Sequence, residues 1–193
     1  MTMTQFLSVF GIVFLAELGD KTQLTAMTLA THYPWKKIFI GIASAFALLN
    51  LAAVFVGKSL FAFLSPFWIQ LLSASLFLFF GINSLLEKDF DEHEEEDEER
   101  RFARRGPIAT AFFMILLAEL GDKTQLVTAS LAAQQSPLVV FLGSTLALWS
   151  VSLMGIFLGR QITRFIPLFW IHRAAGVLFL IFAGHNIWQA FSG

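Results

Sequence analysis

Six apolar stretches, separated by polar breaks, make up most of this 193-residue chain. They cover approximately residues 4–31, 38–60, 66–86, 107–133, 138–162 and 167–191, with bounds good to about 2–4 residues. Because roughly 20 apolar residues cross a bilayer as one helix, each stretch is long enough to be a span. Only 14% of the residues are charged, against about 25% in soluble domains. The sequence therefore predicts an all-α integral membrane protein with six transmembrane helices and no large catalytic domain outside the lipid.

The acidic residues are strongly segregated along the chain. Ten of the 14 lie between residues 87 and 99, in a linker that ends in four arginines by residue 105. The remaining four, Glu17, Asp20, Glu119 and Asp122, all lie inside apolar stretches. An ionisable group within a span costs about 2.5–3.5 kcal/mol on insertion scales. Four such groups, in spans otherwise free of carboxylates, are therefore candidates for function.

The basic residues predict an orientation. With six spans, ten lysines and arginines fall in the three loops on one side of the membrane, and only Lys58 falls on the other. Cytoplasmic loops carry the excess of positive charge. We therefore expect both termini outside and the linker, residues 87–105, in the cytoplasm.

The chain also contains an internal repeat. The ten residues from Leu15 to Leu24, LAELGDKTQL, return unchanged from Leu117 to Leu126, at an offset of 102. We expect two three-helix units, residues 1–86 and 106–193, joined by the linker 87–105. Because three spans are an odd number, the second unit enters the membrane from the opposite side, as in the inverted repeats of secondary transporters.

The repeated motif predicts a cation site. Glu17 and Asp20 are three residues apart, as are Glu119 and Asp122, so on a continuous helix each pair shares one face. Inverted symmetry would bring up to four carboxylates around one midplane cavity. Such a cluster cannot stay fully ionised when empty, so it binds a cation, binds protons or pairs with Lys21 and Lys123. Exchange of a divalent cation for protons follows from this linkage.

The surrounding donors offer oxygen and no thiolate, because the chain has no cysteine. Oxygen ligands favour hard cations such as Ca²⁺, Mn²⁺ and Mg²⁺. Supporting roles are open to Lys21, Thr22, Gln23, Lys123, Thr124, Gln125, Asn50 and Ser152. Interhelical hydrogen bonding is an alternative for the polar ones. Gly19 and Gly121 are expected either to let the backbone loosen between the acids or to let a neighbouring helix approach closely. The pairs Glu17–Lys21 and Glu119–Lys123 could also be structural ion pairs, which would leave Asp20 and Asp122 unexplained.

The duplicated Glu-x-Gly-Asp-Lys-Thr motif resembles that of the Gdt family of membrane cation exchangers. This family includes Golgi manganese/calcium–proton exchangers and bacterial manganese exporters of the MneA type. The resemblance covers both repeats and matches Glu17, Asp20, Glu119 and Asp122 to the family's cation-binding acids. It implies transport of Mn²⁺ or Ca²⁺ in exchange for protons, and the absence of a long N-terminal extension is typical of a bacterial member.

Together these features predict a transporter of the bacterial inner membrane that exports Mn²⁺ from the cytoplasm by antiport with protons. We expect the lipid bilayer as its environment, no prosthetic group, no nucleic acid and no enzymatic activity. A Ca²⁺/proton antiporter and a passive divalent-cation channel are the alternatives. An intramembrane hydrolase with paired aspartates is a third, which gives the motif's Lys, Thr and Gln no role. The oligomeric state stays open.

Overall fold

The computed structural model describes residues 3–86, 106–165 and 168–192. These residues form eight helices and no strand, which confirms the predicted all-helical class. The helices are α1 (Met3–Glu17), α2 (Lys21–His32), α3 (Trp35–Phe63), α4 (Pro66–Leu86), α5 (Pro107–Glu119), α6 (Lys123–Gln134), α7 (Pro137–Phe165) and α8 (Leu168–Ser192). The predicted acidic linker lies outside the described residues.

Four of these helices contain segments that are long and apolar enough to cross a membrane. The segments are Trp35–Ser59, Pro66–Leu86, Pro137–Phe157 and Arg173–Ser192, on α3, α4, α7 and α8. The other two predicted spans, residues 4–31 and 107–133, are each divided into two shorter helices. The prediction of one continuous helix is therefore wrong for both. Six membrane crossings and an inverted relation of the halves stay predictions.

A glycine in the left-handed backbone region interrupts each of the two divided spans. Gly19 has a φ of 83° and Gly121 a φ of 85°. A residue with a side chain rarely adopts this conformation, so glycine allows the chain to leave one helix and start the next. The expected loosening of the backbone at these glycines is confirmed. The argument that Glu17 and Asp20 share a helix face is wrong, because Glu17 ends α1 and Asp20 precedes α2.

The two short helices of each half pack against one long helix of the other half. Helices α1 and α2 lie along α7, and α5 and α6 lie along α3. Small residues allow these close approaches, as is common between membrane helices. A Cβ atom on Gly143 of α7 would lie 2.9 Å from Cγ1 of Val9, and one on Gly41 of α3 would lie 2.8 Å from Cβ of Ala111.

Two clusters of buried apolar side chains fill the interior. The first, here called the α2/α5 core, contains Leu29 and Met114 and draws on α1, α2, α3, α5 and α7. The second, the α4/α8 core, contains Phe77 and Phe179 and draws on α1, α3, α4, α6, α7 and α8. Among the described residues, α4 and α8 contribute to the second core only. This pair of helices therefore packs on one end of the remaining bundle.

Candidate metal centre

The two helix breaks bring three carboxylates together in the interior. One carboxylate oxygen each from Glu17, Glu119 and Asp122 lies within 4.8 Å of the others. Glu17 and Glu119 are each only 1% exposed. Oxygens that bind one Ca²⁺ at 2.3–2.6 Å can be up to about 5 Å apart, so a single hard cation fits among these three groups. The oxygen-only donor set has the chemistry that such a cation prefers.

The polarity of the helix ends also suits a cation. Glu17 and Glu119 are the last residues of α1 and α5. The C-terminal end of a helix carries partial negative charge on its unpaired carbonyl groups. Half-helix C-termini within a membrane are known positions for bound cations in transporters. The ends of α1 and α5 therefore favour a cation at the two glutamates, whereas the N-terminal ends of α2 and α6, at Lys21 and Lys123, carry partial positive charge at the same breaks.

The fourth predicted acid occupies a different environment. Lys123 Nζ lies 2.6 Å from Oδ2 of Asp20, and the Asp20 side chain is only 5% exposed. This ion pair joins the first copy of the motif to the second. The structure therefore pairs Lys123 with an acid of the other motif copy. The side chain of Lys21 lies outside the described set.

Two threonines of the motif hold the Glu17 carboxylate in place. Thr22 Oγ1 donates a hydrogen bond to Oε1 at 2.7 Å, and Thr124 Oγ1 donates one to Oε2 at 2.6 Å. Because Thr124 comes from the second copy of the motif, the two halves share this carboxylate. The two copies are thus not equivalent, since both hydroxyl groups serve Glu17.

The glutamines of the motif brace the helix breaks. Gln23 Oε1 accepts a hydrogen bond from the Gly19 amide at 2.7 Å, and Gln125 Oε1 accepts one from the Gly121 amide at 3.3 Å. Both Nε2 atoms are buried without a hydrogen-bond partner among the described residues. In this arrangement the amide oxygens bind the backbone, so the ligand role expected for Gln23 and Gln125 stays a prediction.

Asn50 on α3 and Ser152 on α7 each donate a hydrogen bond to a group on α7. Asn50 Nδ2 donates to Oγ1 of Thr145 at 3.1 Å, which joins α3 to α7. Ser152 Oγ donates to the carbonyl oxygen of Leu148 at 2.7 Å, within its own helix. These bonds fit the alternative of helix packing. A supporting role of either residue in cation binding stays a prediction.

One polar cluster was not singled out by the sequence. Ser73, Ser130 and Gln134 hydrogen-bond to one another between α4 and α6. The sequence contained a signal for this cluster, because the repeat is not kept there. The positions 102 residues away hold different residues, namely Ala175, Thr28 and His32. The departure from the repeat marks the cluster as a property of one half.

Comparison with known proteins identifies the family. The model of the family described as "Divalent cation/proton antiporter GDT1" matches residues 5–92 and 107–193. The chain belongs to this family. The family's transport of divalent cations against protons agrees with the buried cluster of carboxylates.

Several curated relatives match most of the chain. "GDT1-like protein 1, chloroplastic" of Oryza sativa subsp. japonica is 32% identical over 93% of this chain, which spans 60% of the relative's length. "GDT1-like protein sll0615" of Synechocystis is 28% identical, with 96% and 98% of the two chains covered. A protein of Vibrio cholerae named "Putative manganese exporter" is 32% identical, with 89% and 84% covered. No solved structure matches the chain.

Proposed function

We propose that this member of the GDT1 family exports Mn²⁺ from the cytoplasm in exchange for protons. The observation that carries the proposal is the group of three buried carboxylates, Glu17, Glu119 and Asp122, where two interrupted helices meet. Family membership supplies the class of transport, and the name of the Vibrio cholerae relative supports manganese as the ion. We place the protein in a bacterial inner membrane, with both termini outside and residues 87–105 in the cytoplasm.

In the proposed cycle the carboxylates alternate between the cation and protons. A divalent cation that enters from the cytoplasm binds among Glu17, Glu119 and Asp122, which release protons. After the site has become accessible from outside, protons return to the carboxylates and the cation leaves. Asp20 lies outside the group of three carboxylates, and its ion pair with Lys123 neutralises its charge during this exchange. The threonine hydroxyl groups keep the Glu17 carboxylate oriented for the cation.

Ca²⁺ is the second candidate substrate. The three carboxylate oxygens lie within 4.8 Å of one another, a spacing that accommodates the 2.3–2.6 Å bonds of Ca²⁺. Both ions accept the same oxygen ligands, so selectivity is a matter for measurement.

The decisive experiment is ion transport in proteoliposomes with an imposed pH gradient, with internal pH recorded at the same time. We expect Mn²⁺ to accumulate against its gradient while protons move the other way. Equilibration of Mn²⁺ without proton movement would indicate a channel and would contradict the proposal. Movement of Ca²⁺ alone would keep the antiport and correct the ion.

Substitutions in the site sharpen this experiment. Glu119→Gln and Asp122→Asn should each abolish transport while leaving membrane insertion intact, because each removes a charge from the buried site. Asp20→Asn should have the same effect because it removes the ion-pair partner of Lys123 next to that site. Glu95→Gln, in the acidic linker, is the matched control and should transport normally. Wild-type transport by any of the three site variants would contradict the assigned roles.

A further inference from the structure

Helices α4 and α6 are joined by a polar contact that lies outside the carboxylate cluster. Ser130 Oγ donates a hydrogen bond to Ser73 Oγ at 2.6 Å, and Gln134 Nε2 donates to the same oxygen at 2.8 Å. Ser73 and Ser130 are buried, at 2% and 6% exposure. These three residues, here called the α4–α6 latch, are the polar link between these two helices in the α4/α8 core.

The repeat offers a symmetric position for the latch, but that position cannot form the same contact. Buried positions on α4 and α8 recur at an offset of 102, for example Phe77 with Phe179 and Ser84 with Asn186. At this offset Ser73 corresponds to Ala175, which has no hydroxyl group, and Ser130 corresponds to Thr28. Within residues 3–86, 106–165 and 168–192, α4 packs against α6 and α8 packs against α1, yet neither α8 with α2 nor α4 with α5 forms an extended interface.

The two helix breaks also differ in how much they are exposed. Gly19 and Asp20 in the first break are buried, whereas Gly121 in the second is exposed and Asp122 is half-buried. Leu120, beside Gly121, is 68% exposed. The α4/α8 pair packs beside α1 and α6, and among the described residues it forms no extended interface with α2 or α5.

The charge-based orientation relates these two sides to the membrane. With the termini outside, α6 runs from the break to the outer surface, and α5 runs from the cytoplasm to the break. The side on which the α4/α8 pair packs beside α1 and α6 is then the outer one.

We propose that Ser73, Ser130 and Gln134 form the outer gate of the transporter, and that this gate is closed in the described conformation. The inference rests on the proposed transport function and adds the residues that hold its outer side shut. Opening the site to the outside requires α4 to leave α6, so both hydrogen bonds to Ser73 must break once in each cycle. The latch is a positioning device and does not touch the cation.

The chain's lack of cysteine allows a direct test with engineered pairs. In the double variant Ser73→Cys with Ser130→Cys the sulfur atoms replace two oxygens 2.6 Å apart, close to disulfide geometry. In proteoliposomes we expect an oxidant to cross-link this pair and to abolish Mn²⁺ transport, and a reductant to restore it. The matched control is the symmetric pair Thr28→Cys with Ala175→Cys, which should cross-link poorly in protein without added cation.

The outcomes separate the gate from the transport function. Undiminished transport by the cross-linked Ser73/Ser130 pair would overturn the gate, and equal cross-linking of the control pair would overturn the assignment of an outer gate that is closed in the described conformation. If the reduced protein carries no cation at all while cross-linking follows the expected pattern, the transport function fails and the gate geometry stands.

A second measurement avoids cross-linking. Thr128→Cys places a thiol on α6 where the native side chain is fully buried. A membrane-impermeant maleimide added outside should label it slowly. Adding Ser73→Ala should speed labelling roughly sevenfold, as expected for the loss of two hydrogen bonds of the strength found between membrane helices. Ser75→Ala, an exposed serine that bonds within its own helix, should leave the rate unchanged. An equal rate with Ser73→Ala would contradict the gate.

Discussion

Replacing Gly57 by alanine should force helices α3 and α6 apart. A Cβ atom on Gly57 would lie 2.9 Å from the carbonyl carbon of Ala129 and 3.0 Å from its Cα. Carbon atoms in contact prefer about 3.5–4.0 Å. The helices must therefore separate by roughly 0.5–1 Å, because the obstacle is backbone and cannot rotate away. Overpacking of this kind costs about 1–3 kcal/mol, and the better helix propensity of alanine returns about 0.5–1 kcal/mol.

The net loss for Gly57→Ala is of order 1–2 kcal/mol. For a domain of this size that corresponds to a fall of roughly 2–8 °C in the unfolding midpoint, measured in detergent by intrinsic fluorescence. Gly11→Ala is the matched control, because a Cβ there meets nothing within 4 Å. That variant should be unchanged or more stable by about 0.5–1 kcal/mol. Equal midpoints for the two alanine variants would refute the argument from close helix approach.

Three further substitutions test the contacts of the site and the bundle. Lys123→Gln removes the cation beside buried Asp20 and should cost about 3–5 kcal/mol of stability. Lys123→Arg keeps a positive charge beside Asp20 and should stay near wild type in the same melting series. Thr124→Val removes the hydroxyl group that donates a hydrogen bond to Glu17. It should weaken Mn²⁺ binding about tenfold by titration calorimetry, since a hydrogen bond to a charged group contributes about 1.5–3 kcal/mol. Thr124→Ser should bind normally, and equal affinities would contradict the role of the hydroxyl. Trp149→Phe loses the indole hydrogen bond to a backbone carbonyl of α3 and should lower the midpoint by about 2–4 °C, and an unchanged midpoint would show that this bond contributes nothing.

The sequence was most informative where charge meets an apolar background. Glu17, Glu119 and Asp122 stood out because a carboxylate within a span is costly, and the structure brings these three together. The glycines between the acids also indicated a flexible backbone, and both have positive φ. Hydropathy also located the long helices α3, α4, α7 and α8. A continuous apolar run in lipid forms a helix because the helix satisfies its own backbone hydrogen bonds.

Features that depend on contacts between distant residues could not be predicted. Hydropathy does not register one glycine inside an apolar stretch, so the two interrupted spans were predicted as continuous helices. The pairing of Lys123 with Asp20, and the donation of both threonine hydroxyl groups to Glu17, depend on how the two breaks face each other. A repeated motif predicts equal roles for its two copies, and only the folded arrangement shows them to differ.

The exchange of packing partners between the halves has a consequence for biosynthesis. Helices α1 and α2 lie along α7, and α3 lies along α5, α6 and α7, all of which the ribosome delivers later. During synthesis the first half holds Glu17 and Asp20 in the membrane before Lys123 and Thr124 exist to meet them. The halves are therefore one folding unit, and the first half awaits the second before its site can form. An insertase or chaperone that shields the early helices would act in this interval.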